Sequence, residues 1–300
     1  MSFAPPPPNS IAAPGTDLGG GFTLGPTPRR RKDDVPPPKT VERSRDLCWV
    51  WDVPFDRVDM AGAVDVVEDL IEHGGGYAIT ANVHYTMLHR RHADVREITA
   101  GAALIVADGQ PIVWRSRLTQ RPLPARVPGS EMIDHLAARA AEKRWPVYFL
   151  GGAEGVPEAC AEELSRRHPG LTISGAESPP FRDLTDAEQD DQIRRIVDGG
   201  SKLVLVAFGQ PKGERWIARH HHRLHGAVCL QLGASFDFIT GTSHRAPPIY
   251  HRLGMEWFHR MVNDPRRLVP RYTANACFLI EALIGDWRKK VTGWGLGRWT

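Results

Sequence analysis

Six short runs of this chain are apolar almost from end to end: YAITAN (77–82), ALIVAD (103–108), PVYFLGG (146–152), LTISGA (171–176), KLVLVAFG (202–209) and AVCLQLG (227–233). They have the length of strands, and most end in Gly, Asn or Asp. A strand that is apolar at nearly every position must be covered on both faces, which is the condition of a parallel sheet between two layers of helices. The intervening segments supply those helices. MAGAVDVVEDLIEH (60–73) sets Ala63, Val66, Val67 and Leu70 on one stripe, and SEMIDHLAARAAEK (130–143) opens with Ser130 in an N-cap position. VPEACAEELSRRH (156–168) carries Pro157 in its first turn, where the missing N–H costs nothing, and DAEQDDQIRRIVDGG (186–200) stops at a double glycine. The rhythm predicts an α/β fold with a Rossmann-like parallel sheet and helices on both faces.

The two ends of the chain do not share this rhythm. Residues 1–43 contain PPPP, PGTDLGGG, RRRKDD and PPPK, too rich in Pro, Gly and charge to build a core, and read as a disordered arm. The opening MSFAPPPPNS lacks the continuous apolar stretch of a signal peptide. Residues 44–240 form the expected Rossmann-like domain. Residues 241–300 read as a C-terminal helical, basic and aromatic appendage outside the sheet.

Charge follows the same division. The net +3 resolves into +2 on the arm, −5 on residues 44–240 and +6 on residues 241–300, where ten Lys/Arg meet four Asp/Glu. An anionic partner would therefore be met at the C-terminal end. The longest apolar run there is broken by Glu281 and falls short of the about 20 residues that span a bilayer. Trp287, Trp294 and Trp299 beside Arg288, Lys289 and Lys290 instead suit a helix lying at a lipid interface. An oligomer interface or a nucleic-acid patch are the other readings of this tail. Cys48, Cys160, Cys229 and Cys277 are widely spaced and form no C-x-x-C pair. They point to neither a disulfide framework nor a zinc site, and a cytoplasmic location fits them.

In an open parallel sheet, ligands bind beyond the carboxyl ends of the strands. Thr80, Asn82, Asp108, Gly151, Gly152, Gly209, Gln210 and the stretch from Gly233 to Asp237 would all face that edge. FLGGAEGVPE is a strand, a glycine turn and a helix start, so its backbone N–H groups could receive a diphosphate, or it is an ordinary tight turn. FGQPKGERW adds Lys212 and Glu214 at another strand end, where Lys212 could face a phosphate or water. Asp108 and Asp237 could each be turn acids that bond nearby backbone N–H groups. A general base needs a carboxylate beside a partly apolar wall that raises its proton affinity, and Asp108, after LIVA, meets that description. Asp237, between Phe236 and Phe238, reads as an anchor. No D-x-D follows a strand, no H-E-x-x-H occurs, and no Ser sits in a G-x-S-x-G elbow. His221 and His225 are spaced i, i+4 but read as a solvated helix face. No metal and no cofactor is expected.

In their order these pieces resemble the WecG/TagA/CpsF glycosyltransferases. The resemblance is carried by TAN (80–82), VADGQPIVW (106–114), RVPGSEM (126–132), FLGG (149–152), GQPKGE (209–214), GASFDFITGTSHRAPP (233–248) and GMEWFHRMVNDPRR (254–267). It implies an inverting, metal-independent enzyme that moves a sugar of N-acetylmannosamine type from a UDP-sugar to a lipid-linked, polyprenyl-diphosphate acceptor in cell-wall polymer or exopolysaccharide synthesis. It further implies Asp108 as base, Thr80 and Asn82 as groups that orient substrate, and Arg126 as a substrate-binding arginine. Lys212 falls in the nucleotide-sugar loop, and Arg245, Arg260, Arg266 and Arg267 in an appendage that docks on the membrane and helps close the site. The implied place is the inner face of the bacterial plasma membrane, as a peripheral protein. Nucleic acid is not an expected partner, and a homo-oligomer is compatible with the tail. One position departs from the pattern: the usual P-K-Q-E of the loop is here Pro211, Lys212, Gly213, Glu214, so no side-chain amide stands at 213.

Two other classes compete. A nucleotide-dependent oxidoreductase on the same kind of sheet would want G-x-G-x-x-G after the first strand, and YAITANVHY does not supply it. A non-catalytic membrane or nucleic-acid binder built on the basic tail would leave Thr80, Asn82 and Asp108 without a purpose.

Overall fold

Strand β3 (Gly76–Ala81) lies inside a six-stranded sheet whose order is β4-β3-β8-β7-β5-β6. Its companions are β4 (Leu104–Ala107), β5 (Pro146–Gly151), β6 (Thr172–Glu177), β7 (Leu203–Ala207) and β8 (Val228–Gln231). Every pairing is parallel. The computed structural model describes residues 45–241 and 265–291. The arm at 1–43 and the expected site residues Arg245 and Arg260 lie outside the described residues.

Burial explains why these runs carry no polar face. Leu203 and Leu205 of β7 enter one core cluster while Val204 and Val206 enter another, and all four are fully buried. The first cluster is completed by α1 (Met60–His73), α5 (Gly129–Lys143) and α6 (Val156–Arg167). The second is completed by α2 (Val83–Arg91), α3 (Ala93–Gly101), α4 (Gln110–Ser116), α7 (Asp186–Asp198) and α8 (Lys212–His220). Helices therefore cover both faces, as the sequence predicts. Edge strand β6 is only partly buried, consistent with its weaker apolar pattern.

Two local expectations are corrected. Helix α5 starts at Gly129, with Pro128 in the cap position, so Ser130 lies inside the first turn. The chain is committed early there because Val127 N–H donates to the Ala107 carbonyl at 2.8 Å, tying the helix entry to β4. His221 and His225 do not share a helix face, because residues 221–223 form a 3-10 turn and His225 has φ +47°. His221 instead lies edge-on to Tyr77.

A hairpin that the apolar pattern did not announce, β1 (Leu47–Val50) and β2 (Val53–Asp56), guards the outer edge of β4. Buried Asp56 accepts from the Ile105 N–H at 2.7 Å and pairs with Arg45 at 2.6 Å. The Asp56 carboxylate thus takes a β4 N–H that an incoming strand would otherwise pair with.

The short helix α9 (Ser235–Ile239) follows β8, and a long helix, α10 (Pro265–Val291), follows in turn among the described residues. Phe278 of α10 is 1% exposed and meets the Trp51 ring edge-on, with centroids 5.7 Å apart. Asp286 accepts two bonds from Arg115, at 2.5 and 2.9 Å, and one from Trp51. Asn275 bonds His84 of α2 at 3.2 Å. The opposite side exposes Val269, Ile280, Leu283, Ile284 and Trp287. No helix among the described residues is long and apolar enough to cross a membrane. Phe278→Ala should cost about 3 kcal/mol, the usual worth of a buried Phe. Limited proteolysis should then cut within α10 before it cuts the sheet.

Candidate active site

The carboxyl ends of β3, β4, β7 and β8 bring most of the expected residues to one edge. Thr80 is buried near the end of β3, and its Oγ1 donates to the Gln231 carbonyl at the end of β8, at 2.9 Å. Asn82 follows β3 and caps α2, its Oδ1 accepting from Tyr85 N–H at 3.1 Å. Asp108 follows β4, is half-buried, and donates its backbone N–H to the Ala81 carbonyl at 2.9 Å. The next residue, Gly109, lies so close to the start of α2 that a methyl group on it would stand 3.7 Å from Asn82 Cα. Thr80, Asn82 and Asp108 are thus neighbours on two adjacent strand ends.

The segment with half-buried Arg126 runs along the same edge. A methyl group on Gly129 would stand 3.3 Å from Thr80 Oγ1, and the Arg126 guanidinium lies 3.7 Å from Glu131. Gly151 and Gly152, at φ +98° and +91°, turn β5 over the end of β7, where Gly152 N–H donates to the Ala207 carbonyl at 3.1 Å. A side chain at 151 would collide with Phe208, so only glycine allows this turn. Asp237 is half-buried on α9.

The loop after β7 joins this edge to α10. Gln210 Nε2 reaches the Thr80 carbonyl at 3.5 Å, and Gln210 Oε1 accepts from Arg271 of α10 at 3.3 Å. Lys212 opens α8 and is exposed. Glu214, two residues on, is buried and also bonded to Gln210. Burial pushes its carboxyl up to about 7, against the pull of Arg271 and Arg215, so its proton is held far more tightly than on an ordinary glutamate. Burial and the nearby Arg271 push His84 down to about 4, which keeps that ring neutral beside Asn275. Arg266 is exposed in the first turn of α10, which also contains Arg267.

Sequence reasoning did not single out Gln231, Tyr85 or Asn275. Gln231 is the polar residue that closes an apolar strand, a signal that was available. Asn275 and Tyr85 join through tertiary packing, for which the sequence carries no marker. Among the described residues no three His, Cys, Asp or Glu side chains gather as a metal-ligand set.

This edge offers a half-buried carboxylate, polar groups around it and cations behind a strand-end loop, which suits transfer of a group from a phosphorylated donor. Residues 48–292 match the Glycosyl transferase WecG/TagA/CpsF family. The chain belongs to that family. Two curated members in Staphylococcus aureus (strain MW2) and Bacillus spizizenii both carry the name N-acetylglucosaminyldiphosphoundecaprenol N-acetyl-beta-D-mannosaminyltransferase. The first is 30% identical over 72% of this chain and 84% of its own length, the second 29% over 68% and 79%. As a WecG/TagA/CpsF protein the chain is a glycosyltransferase, and every segment that carried the resemblance up to Gly241 lies on the described edge or its supports.

The raised proton affinity of Glu214 has a measurable sign. The folded chain keeps this proton up to about pH 7, whereas an unfolded glutamate releases it near 4.5, so stability falls as pH rises through that window. Glu214→Gln removes the penalty, which is at most about 3 kcal/mol. The variant should melt near the parent at pH 5 and several degrees above it at pH 8, as calorimetry would show.

Proposed function

We propose that the chain is an inverting glycosyltransferase that moves an N-acetylmannosamine-type sugar from a UDP-sugar to a polyprenyl-diphosphate-linked acceptor, working at the inner face of the plasma membrane. The observation that carries this reading is the meeting of Asp108 with Thr80 and Asn82 at the ends of β4 and β3, in a chain whose curated relatives are named as N-acetylmannosaminyltransferases of N-acetylglucosaminyldiphosphoundecaprenol. Asp108 takes the proton of the acceptor hydroxyl as its oxygen attacks the anomeric carbon from the face opposite the nucleotide. The bond to the UDP oxygen breaks in the same step, and the leaving diphosphate keeps the electron pair.

Its developing charge is met by cations and backbone N–H groups. Lys212 at the head of α8, Arg126, the turn at Gly151 and Gly152, and the arginines of residues 245–271 are the groups assigned to that task. Thr80 and Asn82 orient the sugar, and Asp237 and Glu214 hold the surrounding loops. The reaction then needs no metal, and excess EDTA should leave it intact. The exposed stripe of α10 supports a peripheral seat on the membrane that carries the acceptor.

The test is release of UDP from UDP-sugars by purified protein, with and without a polyprenyl-diphosphate-sugar acceptor. Acceptor-dependent release should survive EDTA and vanish in Asp108→Asn, whose UDP affinity should stay within about three-fold because the amide keeps the shape but not the basicity. Absence of UDP binding in the parent would sink the proposal.

A further inference from the structure

Gln231 closes β8 with 2% of its surface exposed, and neither its Oε1 nor its Nε2 has a hydrogen-bond partner. A buried, unpaired carboxamide weakens a fold, and an apolar side chain of equal length would recover the loss. The space it fills is set by Gly213, in the first turn of α8. A Cβ on Gly213 would stand 2.4 Å from Gln231 Oε1, 2.5 Å from Cδ and 2.9 Å from Nε2. The carboxamide therefore lies directly on the Gly213 backbone, and a side chain at 213 and a glutamine at 231 exclude each other. The backbone carbonyl of the same Gln231 takes the hydroxyl of Thr80. Residue 231 thus touches both the substrate-facing end of β3 and the underside of the loop that carries Gln210 and Lys212.

We propose that Gln231 is a positioning residue for the nucleotide-sugar donor: its carboxamide replaces the side chain that position 213 lacks and sets where the 209–214 loop sits against Thr80. The amide offers an NH2 donor group and a carbonyl acceptor side by side, a set completed when the nucleoside-diphosphate-sugar draws the loop onto its site. This rests on the donor reading made above. A buried glutamine that costs stability, opposite the one residue type that makes room for it, fits a site where stability is traded for function.

Three variants of the full chain test this, read by calorimetric UDP binding and by thermal melting. Gln231→Met conserves volume and should melt higher than the parent while binding UDP about five-fold more weakly, the worth of one hydrogen bond. Gly213→Gln should lose both stability and UDP affinity through collision. The exchange Gly213→Gln with Gln231→Gly should recover both, with UDP affinity returning to within about three-fold of the parent.

Gln231→Met binding UDP as tightly as the parent would overturn the proposal, since a purely structural glutamine gains stability and loses nothing else. So would an exchange variant no better than Gly213→Gln alone. Should Gly213→Gln fail to fold, the methionine variant still decides. A parent that binds no UDP would defeat the donor reading as well, whereas a parent that binds with indifferent variants defeats only the role of Gln231.

Discussion

The structure depends on the double pairing of β3. Ala78 and Ile79 are in register with Leu104 and Ile105 on one side and with Leu230 and Gln231 on the other. A strand held on both edges cannot slide without breaking two ladders and turning its apolar residues to the wrong face. Its last residues, Thr80 and Ala81, and Asn82 just beyond it share that rigidity. Asp108 inherits it as well, because its N–H continues the ladder onto Ala81. A reacting group carried by such strand ends is placed by the backbone rather than by its own side-chain contacts.

Buried and exposed charges play different parts around this frame. Glu163 is held to about 2 by Arg166 and Arg167, but on a solvated helix where such pairing adds little to stability. Glu214 is the opposite case: no water shields it, its Oε2 has no hydrogen-bond partner, and Arg271 and Gln210 are its near company. A carboxyl so placed exchanges its proton near neutrality.

Much of this was legible in the sequence, and the reasons are specific. The six apolar runs became the six sheet strands because a strand buried on both faces leaves no polar alternation to confuse it with a helix of ordinary amphipathic character. The edge that gathers Thr80, Asn82, Asp108 and Gln210 follows from parallel topology alone. Helix α1 was readable to its last residue, since Asp59 caps it and Gly74 stops it. The hairpin before it was not, because its turn residues Trp51 and Asp52 adopt positive φ without the glycine or asparagine that usually announces such a turn. Helices α2 and α3 went unread because VHYTMLHRR and ADVREITAG are short and mixed in polarity, and are set by packing rather than by period. The Gly213–Gln231 contact joins two positions far apart in the chain, and nothing local to either predicts it.

Helix α10 is fastened along one side, by Phe278 and Asp286 toward the hairpin and α4, by Asn275 to α2 and by Arg271 to the strand-end loop. With 27 residues it is about 40 Å long. Its outward stripe of Val269, Ile280, Leu283, Ile284 and Trp287 thus has a set bearing relative to the ends of β3 and β4. Any flat apolar surface that takes up this stripe also fixes the angle at which the edge carrying Asp108 faces that surface. Encounter with a substrate confined to the same plane is then no longer a search over all orientations, but one in two dimensions with the heading already chosen.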